Sequence, residues 1–326
     1  MQPSQHPSNN PSFQIISTLC YDPELPRIPH IPDSYPSSKN SPYYLLSYHV
    51  DRLLAAALDF QWPAAIAFLQ QQQQQQEQPR ETVLTQLTQK FNEHISLNPA
   101  HPWRLRVLLD VSGILTVEAV PIRRASPNSV PILVLPGEKP DFSSLLSAFS
   151  SERDEEKVAV VETWTLRVDT QPTNPSLFTR HKTTVREHYT AARMRAGIAS
   201  LHEKTDVLIY NPDGEVMEGS ITSVYFRRRR RGSSPSSSVS TIPVPVPDIK
   251  GAGADPDNNS YYWVTPPLAS GGNAGTSRRY ALAAGACVEE VVRVEELRGW
   301  EGNGKEGWVW LSNGVRGFMP AVLRFT

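Results

Sequence analysis

RHKTTVREHYTAAR, residues 180–193, sets Lys182 among Arg180, His181 and Arg186 at the head of a segment that reads as a helix from Thr184 to about Ala199. Cationic neighbours disfavour an ammonium ion, and an amine without its proton is a nucleophile able to condense with a carbonyl. Taken alone, the stretch also fits a solvated helix start, where clustered basic residues are common. The residues that the rest of the chain sets around Lys182 decide between the two.

Downstream, NPDGEVMEGSITSVYF (211–226) is a tight turn that delivers Glu218 to a strand. Alternation puts Glu218, Ser220 and Thr222 on one face, and a carboxylate in the interior needs a cationic or protonated partner. An edge-strand glutamate facing water is the other reading. TPPLASGGNAGTSRRYALAAG (265–285) is a glycine-rich loop running into an amphipathic helix, and Thr276 and Ser277 stand at the junction. Free backbone N–H groups and the helix dipole suit such a junction to a single phosphate, or to a plain helix cap. The loop lacks the spacing of a P-loop and of a dinucleotide fingerprint. Upstream, SYHVDRLLAAA (47–57) places His49 beside Arg52 on the polar side of a predicted helix. The planar fork of Arg52 suits a phosphate, though it also fits a surface arginine.

These pieces sit in a chain of 326 residues with formal net charge −1, long enough for two ordinary domains. That charge argues against a surface built throughout for nucleic acid or anionic membrane. Two cysteines, Cys20 and Cys287, make neither a disulfide framework nor a zinc site, and no metal is expected. No run has the apolar length of a spanning helix, and the beginning lacks a signal peptide's apolar core, so a cytoplasmic protein is expected.

Order is predicted to begin at FQIISTLCYD after a disordered start, residues 1–12. Helices are predicted at YYLLSYHVDRLLAAALDFQW and ETVLTQLTQKFNEHISLN, flanking a Gln-rich insertion near 70–80. A hairpin turns at Ser112 and Gly113, and VAVVETWTLRV supplies a further strand. DTQPTNPSLF is the candidate linker between a domain at 13–170 and one at 176–326. An Arg/Ser/Pro-rich insertion, about 227–259, interrupts the second domain and cannot bury enough apolar area to order itself. Its run Arg227 to Arg231 could contact phosphates in a non-catalytic binding protein. No aromatic interleaving supports base stacking there, so nucleic acid is not the expected partner.

A lysine, then a strand glutamate, then a glycine loop before a helix, with an HxxRL helix upstream, is the order in fold-type IV pyridoxal-phosphate enzymes. The chain resembles that family, the class-IV aminotransferases and their lyase relatives, at HVDRLLAAA, HKTT, EVMEGSITSVYF, TPPL with AGTSRR, and WLSNGVRGFMP. The resemblance implies a mixed α+β fold of two domains, like D-amino acid aminotransferase: a smaller N-terminal α/β domain and a C-terminal pseudo-barrel that binds pyridoxal 5'-phosphate. It implies that Lys182 bonds the cofactor, that Glu218 keeps the pyridine nitrogen protonated, and that Arg52 with the backbone at Thr276 and Ser277 grips the phosphate. Asn313 falls at a polar turn on the phosphate and substrate side.

Two departures stand out. Ser223 replaces the asparagine that usually follows the hydroxyl pair, and Glu187 replaces a tyrosine five residues after the lysine, leaving Tyr189 as the partner for the ring hydroxyl. FQIISTLCYDPELP and SNGVRGFMP look most like the fungal-type 4-amino-4-deoxychorismate lyases, which yield 4-aminobenzoate and pyruvate in folate biosynthesis. In that setting Arg316 would clamp a substrate carboxylate. The alternative within the family is a branched-chain or D-amino acid transaminase, and the family implies a homodimer either way.

Overall fold

The computed structural model describes residues 13–27, 41–70, 79–123, 133, 163–229, 261–299 and 307–325. The expected disordered start, the glutamines after Gln70 and the insertion beyond Arg229 lie outside the described residues.

The apolar run Ile15–Tyr21 forms β1, and the hairpin predicted around Ser112 and Gly113 forms β2 (Trp103–Leu109) and β3 (Leu115–Pro121). Gly113 holds φ +83° in that turn, and a side chain there would meet the Ala64 carbonyl at 2.9 Å. The strands make an antiparallel sheet in the order β1-β2-β3. Helices Leu46–Asp59, Pro63–Gln70 and Pro79–Ile95 bury their apolar stripes against Ile15, Leu19, Leu105, Val107 and Leu109. Helix Pro63–Gln70 is not evident from the sequence, because PAAIAFLQ runs straight into the glutamine tract.

An eight-stranded mixed sheet follows, in the order β6-β5-β4-β11-β10-β7-β8-β9. Its members are β4 (Trp164–Val168), β5 (Thr205–Tyr210), β6 (Val216–Gly219), β7 (Ser223–Arg229), β8 (Tyr261–Thr265), β9 (Val288–Glu289), β10 (Trp308–Asn313) and β11 (Gly317–Phe325). Right-handed twist curls so many strands toward closure. The two edges meet where Val216 N–H donates to the Val292 carbonyl at 2.8 Å, just beyond β9. Leu166, Leu208, Val224, Val264, Val309, Leu311 and Leu323 fill the inside of the curl. The fold is mixed α+β, as the resemblance implied.

Three expectations need correction. A division at residue 170 puts β4 in the first domain, yet β4 pairs in parallel with β5 and β11, so the change between sheets comes before Trp164. The insertion expected from residue 227 begins later, since β7 continues through Arg229 opposite Tyr261. Arg227 stacks on the Tyr261 ring at 4.0 Å and Arg228 pairs with Glu290 and Glu296, so these two arginines serve the protein's own sheet. The helix after Lys182 is also shorter than predicted, Glu187–Arg195.

β1 links the two sheets. Its open edge bonds the lysine segment, with Ile16 N–H donating to the Lys182 carbonyl at 2.8 Å and Thr184 N–H to the Gln14 carbonyl at 2.9 Å. Further along the same edge, Cys20 N–H donates to the Gly314 carbonyl at 3.0 Å. One strand thus fixes the lysine and the β10–β11 turn relative to each other. Among the described residues no helix is long and apolar enough to cross a membrane.

Candidate active site

A one-turn helix, Leu177–Arg180, is held at its start by reciprocal bonds between Ser176 and Thr179. The chain then extends, His181 bonds Asp59 through Nε2 at 2.7 Å, and Lys182 turns inward. Burial holds the Lys182 amine well below the usual lysine pKa, and the charges of Arg186, Arg52 and Arg106 push it the same way. Of the neighbours read from the sequence, Arg186 contributes. Arg52 and Arg106 arrive from distant parts of the chain, and Arg180 is exposed.

Glu218 is buried on β6, and burial raises its carboxyl to about 7 against the pull of a Tyr189 hydrogen bond and the Arg186 charge. Tyr189 Oη donates to Glu218 Oε1 at 2.5 Å and lies 3.3 Å from the Thr179 carbonyl. Tyr189 therefore braces the glutamate. Arg186 lies 4.1 Å over the Tyr189 ring and donates to the Ser220 carbonyl at 2.6 Å.

The predicted alternation after Glu218 does not hold either. β6 ends at Gly219, and Ser220–Thr222 form a turn folded onto Asp206, a residue the sequence reading missed. Its buried carboxylate accepts from Ser220 Oγ and Thr222 Oγ1, each at 2.6 Å, and from Ile221 N–H at 3.2 Å. A side chain at Gly219 would overlap both Asp206 and Thr222. Replacing Asp206 with alanine leaves these donors buried without acceptors, and a loss of about 3 kcal/mol is expected in a urea melt. Asp206→Asn should lose less, because one oxygen remains to accept.

The third group gathers around Arg52. Helix Leu46–Asp59 turns His49 and Arg52 toward the interior, not toward water as its polar side suggested. Arg52 donates to Asn273 Oδ1 at 2.9 Å and to the Ala274 carbonyl at 3.3 Å, while its Nε has no partner. Asn273, also missed, gives its backbone N–H to Glu218 and so ties the acid to the arginine. The signal was the glycine before it, since a side chain at Gly272 would meet the Met217 carbonyl at 2.5 Å.

Helix Thr276–Ala283 starts at Gly275 with no side-chain cap. Thr276 Oγ1 and His49 Nε2 are buried and unpartnered, and both converge on Gly314, where a Cβ would lie 3.0 Å from Thr276 Oγ1 and 2.7 Å from a His49 ring carbon. Burial and the Arg52 charge keep His49 neutral, and its Nδ1 bonds Ser17 Oγ at 2.8 Å. Ser277 Oγ is spent on Ser312 Oγ at 2.8 Å, which leaves Ser277 its backbone N–H to offer. Unpartnered donors, a guanidinium and a helix start make a cradle for an anion.

Asn313 sits at the end of β10. Its Oδ1 accepts from Val315 and Arg316 N–H and its Nδ2 reaches the Ile221 carbonyl, so it shapes the turn between β10 and β11. Arg316 stands on that turn, with its guanidinium 5.2 Å from the centre of the Trp164 ring.

An amine whose proton is disfavoured, a carboxyl whose proton is favoured and an anion cradle, at the junction of two sheets, suit an aldehyde-bearing phosphate cofactor. The chain belongs to the class IV aminotransferase family, whose model it matches over residues 33–323. That family is pyridoxal-phosphate dependent. The chain is 29% identical over 239 residues to the aminodeoxychorismate lyase of Saccharomyces cerevisiae, a match covering 70% of this chain and 53% of the yeast protein. It thus spans about half the length of that curated relative.

Its fold is shared with a candidate amino-acid aminotransferase from Mesorhizobium loti (TM-score 0.53, 18% identity, 96% of this chain and 100% of that one). It is shared too with a candidate 4-amino-4-deoxychorismate lyase from Legionella pneumophila (TM-score 0.52, 9% identity, 95% and 82%).

The donor set fits pyridoxal phosphate. Lys182 suits the aldehyde, Glu218 the ring nitrogen, and Arg52 Nε with Thr276 Oγ1 and the helix start the phosphate. Replacing Arg52 with glutamine removes a charge-assisted donor from a buried anion, and cofactor affinity should fall about 100-fold. Titrating the cofactor-free variant with pyridoxal phosphate and following the visible absorption measures this directly.

Proposed function

We propose that this chain is a pyridoxal-phosphate-dependent 4-amino-4-deoxychorismate lyase, giving 4-aminobenzoate and pyruvate. The observation that carries the cofactor half is the Lys182 amine, whose protonated form is disfavoured by burial and by the Arg186 and Arg52 charges. The kinship with the yeast lyase supports the choice of reaction. The bound cofactor supplies an electron sink for the ring carbon next to the substrate nitrogen.

Lys182, once the substrate amine has taken its place, is a free neutral base. It takes the proton from the ring carbon bearing the nitrogen, while Glu218 holds a proton at the pyridine nitrogen. The bond from the ring to the enolpyruvyl oxygen then breaks and the ring becomes aromatic. Lys182, now protonated, can return its proton to the methylene carbon of the departing enol, which leaves as pyruvate. One substrate gives two products with no water and no keto acid consumed.

Tyr189 keeps the Glu218 carboxyl in place, and the Arg186 charge favours its ionised form when it gives up its proton. A homodimer accompanies this reading. The test is incubation of the cofactor-loaded protein with aminodeoxychorismate: 4-aminobenzoate and pyruvate should appear in equal amounts without added keto acid. Turnover that requires a keto acid and yields a new amino acid would instead mark a transaminase.

A further inference from the structure

β1 and β2 pair so that Cys20 lies opposite Arg104 and Thr18 opposite Arg106. Directly opposed residues share a face, so both arginines stand on the face of the small sheet opposite to Leu19, Leu105 and Val107, which pack on the helices. Cys20 also holds the β10–β11 turn through its bond to the Gly314 carbonyl, and Arg316 follows two residues later. The register therefore carries Arg104 to the turn that bears Arg316.

The two arginines of β2 are not equivalent. Arg106 is paired with Glu118 across the β2–β3 hairpin at 3.0 Å. Arg104 is exposed and makes no ion pair with a carboxylate among the described residues. The Arg316 guanidinium rests over the Trp164 ring, and the nearby carboxylate of Asp206 already accepts from Ser220, Thr222 and Ile221. Burial and, after it, the charge of Arg104 make it harder for Arg316 to stay protonated. The Asp206 charge works the other way on Arg316, but with that carboxylate already taken up by three donors, two neighbouring guanidiniums form an arrangement that further anions relieve.

We infer that Arg104 and Arg316 form a two-carboxylate recognition site at the rim of the Lys182 pocket, which selects substrates bearing two carboxylates. This rests on the reading of Lys182 as the reacting amine and extends it to substrate choice. Aminodeoxychorismate carries one carboxylate on its ring and one on its enolpyruvyl arm, so each arginine would take one. Bidentate pairing would orient the ring, and the ordinary amino acids that bear a single carboxylate would engage only one of them.

The experiment uses the cofactor-loaded protein with chorismate, a dicarboxylate bearing a hydroxyl where the substrate has its amine, and with benzoate as the monocarboxylate. Calorimetry reads binding without turnover. Arg104→Gln and Arg316→Gln should each weaken chorismate about 10- to 100-fold. Benzoate should weaken in one variant and not in the other. Visible absorption and borohydride trapping on Lys182 report the cofactor reading separately, so its failure is distinguishable from failure of the inference.

A melting midpoint near that of the parent reports folding. Should Arg104→Gln fold poorly, Arg104→Lys, which keeps the charge and loses the fork, should show a smaller loss of the same kind. Chorismate binding within twofold of the parent in the Arg104 variant, equal losses for benzoate in both, or no binding of chorismate to the parent would each overturn the proposal.

Discussion

Lys182→Ala should lose about 10,000-fold in turnover while the protein melts no lower than its parent. The activity loss follows from removing both the cofactor's covalent attachment and the base that moves the proton. The stability half follows from linkage. Lys182 has a folded pKa well below its unfolded one, so between the two values the unfolded chain binds a proton that the folded chain has given up. That difference costs the folded state stability, and the cost shrinks as pH rises toward the unfolded value. Alanine carries no such cost, and this gain offsets the apolar burial given up with the lysine's methylene stem. Parallel initial-rate and thermal-melt measurements test this, and a variant that lost activity only by unfolding would contradict it.

Glu218→Gln should be the second largest change, with activity down about 1,000-fold, because glutamine cannot hold a proton at the ring nitrogen at neutral pH. A distinct pH signature should accompany it in the cofactor-free protein. The carboxyl rises from 4.5 in the unfolded chain to about 7 in the folded one. Between those values the folded state binds the extra proton. The contribution of Glu218 is therefore full below about 4.5 and is lost as pH rises through about 7, a swing on the order of 3 kcal/mol. Urea midpoints of the parent should carry this falling component between those two pH values, and those of Glu218→Gln should lack it. Equal slopes in the two proteins would mean that Glu218 is ionised throughout.

The parts of this site that the sequence disclosed are those whose meaning is local. HVDRLLAAA has helical spacing, AGTSRR opens a helix after glycines, and the strand ending in Glu218 and Gly219 follows its PDG turn. What stayed hidden depends on distant partners. The parallel pairing of β4 with β11 joins Trp164–Val168 to the end of the chain, so no nearby signal could move it out of the first domain. Asp206 reads as an ordinary strand residue until the 220–222 turn closes on it.

The helix Glu187–Arg195 turns the Tyr189 hydroxyl onto Glu218, a bond that distance along the chain from Lys182 does not disclose. The crowding around Lys182 is legible in sign and only partly in source. Arg186 is the neighbour that acts, and burial outweighs it.

The measurement that bears most directly on this account is reduction of the pyridoxal-phosphate-loaded protein with borohydride, followed by peptide mapping. The yellow band should disappear on reduction, with the pyridoxyl phosphate group recovered on the peptide that contains Lys182 and on no other. Recovery on a different lysine, or a protein that takes up no pyridoxal phosphate, would contradict the assignment of this buried amine.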